Sequence, residues 1–411
     1  MAKLGNEKTR IVCVVFCFFL TFVFARATSN HGRFDEELEV EKLLEKLNKP
    51  AVKSIKSPDG DMIDCVNILN QPAFDNPKLK NHKVQMRPTF HSRKSNISNR
   101  IAQLWHQSGS CPKGTVPIRR TTKEDILRAD SIQQFWKKIN QSIPDLFGSS
   151  SPISGHEYAI ADLRGDRYYG AQASINIWKP HVQESNEFSL SQIWIVNRDD
   201  PNNNVETIEA GWQIYPGIYG DDNPRLFTYW TSDSYRSTGC YNLRCSGFVQ
   251  VDNTIAVESS LQTLSVYGGS QYELSILIRK DQGTGNWWMQ VGNSKNIGYW
   301  PASLFNRLSE SASNVQWGGE IVNRKSNGQH TTTEMGSGHF SEEGFGKASY
   351  FKELSIVDAN NNLVSPKSFN PYISNPTCYT ATPYGYSDDS GCLLLLWRSW
   401  KKPKLSLALI M

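Results

Sequence analysis

The sequence predicts an all-β protein, an antiparallel β-sandwich over residues 151–392 preceded by a smaller α+β domain over 28–150. Three observations carry that reading. From residue 156 onward, short aromatic and often alternating runs recur, divided by Gly, Asn, Asp and Ser. Helical periodicity is nearly absent from that half, a stretch around Ala302–Leu308 apart. The charge also changes sign along the chain. Residues 28–150 hold 20 Lys+Arg against 14 Asp+Glu, a net of +6, and 151–392 hold 16 against 25, a net of −9. A basic half can mark a nucleic-acid-binding arm, but no aromatic-rich basic cluster accompanies this one. The remaining meaning of the asymmetry is that the two halves attract each other.

The elements follow in chain order. Lys3, Lys8 and Arg10 precede the apolar run IVCVVFCFFLTFVF (11–24), and ARA (25–27) offers a small-residue cleavage site. This predicts a secretory signal peptide over 1–27, too short for a comfortable membrane span, with an N-terminal anchor as the alternative. In FDEELEVEKLLEKL (34–47), Val40, Leu43, Leu44 and Leu47 form one helical face, and Pro50 ends the helix. MIDCVNILNQPAF (62–74) and LWHQSGSCPKGTVPIRRT (104–121) read as strand and loop. A second helix is expected over TKEDILRADSIQQFWKKI (122–139), with Thr122 as cap and Asp125 three residues on. NQSIPDLFGSSSPISG (140–155) is a Ser/Pro/Gly linker and a cleavable boundary. Sequons at Asn96 and Asn140 offer glycosylation sites.

Seven runs then read as strands: YYGAQASINIW (168–178), FSLSQIWIVNR (188–198), LFTYWTS (226–232), GFVQV (247–251), YELSILIRK (272–280), NWWMQVG (286–292) and ASYFKELSIVD (349–358). No internal repeat appears. The chain closes on LLLLWRSWKKPKLSLALIM (393–411). This basic, apolar tail fits neither the acidic half nor a linker, and it reads as an altered or spliced end.

Cys13 and Cys17 leave with the signal, so six cysteines remain: Cys65, Cys111, Cys240, Cys245, Cys378 and Cys392. In an oxidising compartment they can pair, and spacing alone does not fix the pairs. GCYNLRCSG (239–247) predicts a small loop closed by Cys240 and Cys245. A zinc half-site is the other reading, but no second ligand pair completes it.

Two carboxylates stand out by their surroundings. In VETIEAGWQIYPG, alternation puts Ile208, Ala210, Trp212 and Ile214 on one face and Thr207, Glu209, Gly211, Gln213 and Tyr215 on the other. In VQWGGEIVN (315–323), Gln316, Gly318, Glu320 and Val322 share the face opposite Trp317, Gly319 and Ile321. Each glutamate therefore has a glycine and a glutamine on its own face. The missing side chains predict open sheet above each carboxylate, where an extended peptide could lie. Two carboxylates on one cleft can hydrolyse a peptide bond, one ionised as base for a water and the other protonated as acid. A pair of solvated strand glutamates is the ordinary alternative.

Other chemistries find no support: the chain has no G-x-S-x-G, H-E-x-x-H, Walker loop or helix-opening G-x-G-x-x-G. His156, His330 and His339 lack metal-ligand spacing and read as loop or surface histidines. The Trp-rich runs read as core and rim, with a sugar-stacking platform as the functional alternative.

Several stretches closely resemble the neprosin family of plant secreted proteins: HEYAI, YYGAQASINIW, IEAGWQIYPGIYGDDNPRLFTYWTSDSYRSTGCYNLRCSGFVQ (208–250), WGGEIVN and GSGHFSEEGFGKASYFKEL (336–354). DGDMIDCVNILNQPAFDNPKLKNH (59–82) and GTVPIRRTTKEDILRA (114–129) resemble that family's activation peptide. The resemblance covers about 35–390. It implies a glutamic endopeptidase that cuts after proline in acid, a β-sandwich fold, and synthesis with a pro-domain. It implies Glu209 and Glu320 as the catalytic pair, a Cys240–Cys245 disulfide, and a second bridge from Cys378 to a cysteine near the C-terminus, for which Cys392 is the candidate here, the alternative being that Cys392 pairs with nothing. The C-terminal residues depart from the family's usual end; if the last strand is missing, one sheet gains an unpaired edge.

The expectation is thus a monomeric, secreted, latent peptidase of the apoplast, cell wall or vacuole. Its partners are a proline-containing peptide or protein and its own pro-domain. Neither nucleic acid, nor membrane after signal cleavage, nor metal, nor organic cofactor is implied. Attraction between the basic and acidic halves would hold the pro-domain over the cleft until acid weakens it and the 140–155 linker is cut. The rivals are a non-catalytic β-sandwich that binds cell-wall polysaccharide or protein, and a dead-site interaction protein.

Overall fold

In a computed structural model of the chain, the alternation read from the sequence becomes two antiparallel sheets packed face to face. The structure describes residues 37–90, 101–129, 131–132, 135, 137–138, 155–202, 204–292, 295–325, 329–387 and 391–398. The signal segment, both sequons (Asn96 and Asn140) and the 140–154 part of the linker lie outside these residues.

The site-bearing sheet has seven strands among the described residues. In spatial order they are β17 (Asn370–Ile373), β4 (His156–Tyr168), β14 (Ala312–Val322), β6 (Ser189–Asn197), β7 (Glu206–Ile214), β8 (Arg225–Thr231) and β9 (Cys240–Tyr241). The facing sheet runs β10 (Val249–Gln250), β13 (Lys295–Trp300), β12 (Trp287–Val291), β11 (Glu273–Lys280), β5 (Gly170–Asn176), β15 (Ser349–Val357), β19 (Gly391–Arg398), β18 (Tyr379–Ser387), with β16 (Leu363–Val364) on β15.

The apolar phase of β7 points between the sheets. Ile208, Ala210, Trp212 and Ile214 of β7 share one core with Ala171, Ala173 and Ile175 of β5. Two indoles fix the sheets to each other: Trp212 Nε1 donates to the Asn176 carbonyl at 2.9 Å, and Trp317 Nε1 to that of Gln172 at 3.1 Å. Such Trp→Ala truncations remove about 3–5 kcal/mol of stability. Trp287, Trp288 and Trp300 are buried in the same core, so these aromatic runs present no exposed stacking platform.

The other phase is also covered, because all nine residues of β7 are buried. Above it, Tyr158, Phe188, Leu190, Trp194, Tyr219, Phe227, Tyr229, Tyr235 and Tyr241 form a second cluster, joined by Ile218 of α3 (Pro216–Tyr219).

The N-terminal domain supplies part of that cover. Its helix α1 (37–47) packs Val40, Leu43 and Leu47 on Ile126 and Phe135, as the periodicity predicts. Its sheet is β1 (Ala51–Lys56), β2 (Met62–Asn67), β3 (Thr115–Arg119). Val66, Val116 and Ile118 join the sandwich core, and Ile118 bridges Val257. The halves therefore share an apolar core in addition to any attraction of charge.

Three expectations need correction. The second helix, α2, spans only Lys123–Leu127. The Thr122–Asp125 capping box is present, but the described residues past Arg128 are not α-helical: Phe135 is buried against α1 and Ile126, and Lys138 against the two glutamates, so tertiary contact outweighs propensity. The last strand is not missing. The atypical leucines continue β19, which pairs with β15 and β18, so the sheet extends past residue 392.

The remaining correction concerns Cys378. Cys378 is a free thiol, not bridged to Cys392. It directly precedes β18, whose first residue pairs with Arg398, whereas Cys392 lies opposite Tyr386 at the far end of the hairpin. At about 3.3 Å per residue the two stand more than 20 Å apart, far beyond the roughly 7 Å reach of a disulfide. Cys65 instead bonds Cys111, a pair that spacing left open, and Cys240 bonds Cys245.

Candidate active site

Strand order brings the two glutamates together. β6 lies between β14 and β7, so residues paired across it share one face. Glu209 of β7 lies opposite Trp194, and Glu320 of β14 lies opposite Leu190. Gln192, midway between those β6 residues, lies opposite Gly211 on one side and Gly318 on the other. Both glutamates are fully buried.

The glycines do not leave open sheet. A Cβ on Gly211 would lie 2.0 Å from the Ser191 carbonyl oxygen and 2.7 Å from Gln192 Cα, and one on Gly318 would lie 2.3 Å from the Ala159 carbonyl oxygen. Gly211 permits close approach of β7 to β6 at Gln192, and Gly318 close approach of β14 to β4. The expected glutamines go elsewhere: Gln213 donates to the Tyr241 hydroxyl at 3.3 Å, and Gln316 to Asp162 at 2.5 Å.

Glu209 is surrounded by donors. Its Oε1 accepts from Thr207 Oγ1 at 2.9 Å and from the Tyr235 hydroxyl at 2.6 Å. Its Oε2 accepts from Gln192 Nε2 at 3.0 Å and from the Lys138 ammonium. Burial, then the charge of Glu209, push the Tyr235 hydroxyl well above the usual phenol range, so it remains a protonated donor. Tyr235 is aimed from a loop in which it and Ser234 both adopt left-handed backbone, at φ 62° and 60°. Such strain in non-glycine residues persists only where surroundings impose it. Here Asp233 imposes it by accepting from the backbone N–H of Ser237 at 2.9 Å and of Thr238 at 3.0 Å.

Glu320 Oε1 meets His156 Nδ1 at 2.6 Å, and its Oε2 lies 3.5 Å from Lys138 Nζ. Burial alone would raise its carboxyl. The Lys138 charge and then the His156 hydrogen bond outweigh that and hold it below the usual range. His156 is therefore no surface histidine. It is 6 % exposed and starts β4 on the face of Tyr158, which lies opposite Glu320.

Lys138 comes from the N-terminal domain and is the center of the arrangement. It is 3 % exposed. Its N–H donates to the Tyr229 hydroxyl at 3.3 Å, and its ammonium stands 5.3 Å from the Tyr229 ring centroid while touching both carboxylates. A cation buried against two anions satisfies the requirement that buried charge be paired.

Sequence reading selected Glu209 and Glu320 and missed Lys138, His156, Gln192, Thr207 and Tyr235. Alternation carried a signal for His156 and Gln192, each at even spacing within an apolar strand. Nothing local marked Lys138 or Tyr235, which arrive from loops.

The chain was compared with known families and solved structures. Residues 185–395 match the family model described as Neprosin, and residues 54–162 match the one described as Neprosin activation peptide. Among solved structures the chain is similar to Scytalido-glutamic peptidase with a peptide-based transition-state analog, at 12% identity and a TM-score of 0.34, covering 59% of this chain and 98% of that one. It is similar also to SCP-B, a member of the Eqolisin family of peptidases, in complex with the tripeptide Ala-Ile-His, at 12% identity and a TM-score of 0.33, with the same coverage. Lys138 and His156 fall in the activation-peptide match, and Glu209 and Glu320 in the neprosin match. Since that second match spans just over half of the sequence, the chain belongs to the neprosin family and carries the family's activation peptide ahead of its neprosin domain.

Proposed function

We propose that the chain is the latent precursor of a secreted glutamic endopeptidase that works in acid and cuts after proline. The observation that carries this reading is that one ammonium, Lys138 Nζ, touches both Glu209 and Glu320. Two carboxylates close enough to share one cation are close enough to share one water. Lys138 fills the place that water would take, so the uncut chain is inactive. Cleavage within 140–155 frees the segment that carries Lys138.

After release, Glu320 and Glu209 differ in what surrounds them. Glu320 keeps His156, whose hydrogen bond at 2.6 Å and charge both favour the ionised carboxylate. Glu209 keeps only neutral donors, Thr207, Tyr235 and Gln192. A buried carboxyl without a cation takes up a proton more readily. Glu320 is therefore the base and Glu209 the acid. Glu320 takes a proton from water as its oxygen bonds the carbonyl carbon, and Glu209 gives its proton to the leaving nitrogen as the C–N bond breaks. The products are a carboxylic acid and an amine.

Acid favours this division, because both groups would be ionised at higher pH and a pair of buried anions has no proton to give. For proline, support comes from the aromatic wall beside the pair: Phe188 lies 5.7 Å from His156 and 5.3 Å from Tyr215, ring to ring. A pyrrolidine ring presents a flat apolar surface to such a wall. Secretion rests on the 1–27 segment.

The test is to acidify the secreted full chain, add an unstructured proline-containing protein, and identify the fragments by mass spectrometry. The expected fragments end in proline. Glu209→Gln retains a hydrogen-bond donor and loses about 10²–10³-fold in kcat, whereas Glu320→Gln removes the base and loses about 10⁴-fold or more. The reverse order would exchange the roles, and full activity in both variants would end the reading.

A further inference from the structure

We propose that Gln192 is the substrate-orienting residue that accepts the N–H of the amino acid following the scissile bond; this rests on the peptidase reading above. The residue is fully buried at the middle of β6, on the face of both glutamates. Its place is made by glycine, since a Cβ on Gly211 would lie 2.7 Å from both Gln192 Cα and Gln192 Cβ.

The orientation of its amide follows from chemistry. Nε2 donates at 3.0 Å to Glu209 Oε2, and a carboxylate only accepts. The carbonyl Oε1 must then point away from Glu209. That oxygen is buried without a hydrogen-bond partner among the described residues. An orphaned acceptor beside a catalytic pair is unusual enough to need an explanation.

The substrate supplies one. When the bond follows proline, proline contributes no N–H, so the scissile amide's N–H belongs to the next residue. Its nitrogen is also the atom that must receive the proton of Glu209. With Nε2 on Glu209 and Oε1 on that N–H, the Gln192 amide aligns the acid with the leaving nitrogen. The site then discriminates against a substrate that lacks this hydrogen, such as one with proline on both sides of the bond.

The experiment uses two peptides that differ only by N-methylation of the alanine after proline. The acid-processed chain should cleave the N–H peptide about 10- to 100-fold better in kcat/KM, the range expected when a buried acceptor is left unpaired. Gln192→Met keeps the shape and loses the acceptor; its discrimination should fall to about 3-fold or less, in KM as well as in kcat. Gln192→Glu, neutral in acid, retains one donor and one carbonyl acceptor and should restore the discrimination there. Binding of both peptides to processed Glu320→Gln, followed by fluorescence anisotropy, reads the same preference without turnover. Equal handling of the two peptides wherever Gln192 is intact would overturn the proposal and leave the peptidase reading standing. Discrimination that persists in Gln192→Met would be steric and would also overturn it. Discrimination in binding with no cleavage of either peptide would uphold the role of Gln192 and sink the peptidase reading instead.

Discussion

The activation peptide meets the neprosin domain through ion pairs at two places of opposite polarity. At the site it contributes the cation, Lys138, to the carboxylates Glu209 and Glu320. Under its sheet it contributes the anion: Asp61 accepts from Arg225 Nη1 at 2.6 Å while also holding Arg119 at 2.8 Å. The second contact runs against the net charges of +6 and −9. Burial explains the difference, since bulk charge acts through screened water whereas a buried pair acts through its own geometry. Latency in this reading is a local plug plus an anchor, rather than two oppositely charged bodies in contact.

The largest effect should come from the plug. Lys138→Met keeps the stem and removes the ammonium, leaving two buried carboxylates without their cation. Breaking such a pair weakens docking by about 3–5 kcal/mol, or roughly 10²–10⁴-fold in the open population. The uncut variant should cleave a short proline peptide before any smaller band appears on a gel. An inert Lys138→Met precursor would show that the rest of the segment blocks the site unaided. Asp61→Asn should come next, at about 3 kcal/mol, because Arg225 retains Asp221 at 2.5 Å and the Glu258 carbonyl at 2.7 Å. It should lower the melting temperature of the precursor and leave the processed protein's activity unchanged. Loss of activity there would mean that the anchor also shapes the site.

The same two contacts show what sequence could and could not reveal. The sandwich was legible because its signal is local: alternation fixes which face of β7 carries Ile208, Ala210, Trp212 and Ile214. Glu209 and Glu320 were legible for that reason, and because the resemblance selected them as well. Their meeting through β6 was not, since strand order is not encoded in the alternation of any single strand. Lys138 was hidden more deeply. Its neighborhood reads as helix, and only docking onto a partner surface outweighs that propensity. Asp61 looked like one more acidic residue in a basic domain. The leucine run after Cys392 was misread because its composition departs from that of its neighbors, while its backbone simply pairs as β19.

The smallest predicted effect tests how acid loosens the anchor side. Asp281 of the neprosin domain accepts from Gln85 Nε2 at 2.6 Å and from the Thr89 N–H at 2.9 Å, and its other oxygen from the Thr89 hydroxyl. Burial would raise its carboxyl, but the Thr89 and Gln85 hydrogen bonds outweigh it and hold it below the ordinary 3.8. Asp59 of the activation peptide is likewise held below 3.8, mainly by Ser260 against the effect of its own burial. In both cases the docked state favours the ionised form. Their contribution to docking is therefore complete above the ordinary carboxylate value and is lost as pH falls through the depressed one. Release of the peptide should stay slow at pH 5 and accelerate below about pH 4. Asp281→Asn cannot take up that proton. It should weaken docking by about 1 kcal/mol near neutrality and flatten the acid dependence by up to one proton. Linker cleavage rates followed from pH 6 down to about pH 2.5 measure both quantities. An unchanged slope in Asp281→Asn and in the Asp59→Asn, Asp281→Asn double variant alike would place the acid response at Glu320 instead, so that the plug rather than the anchor senses pH.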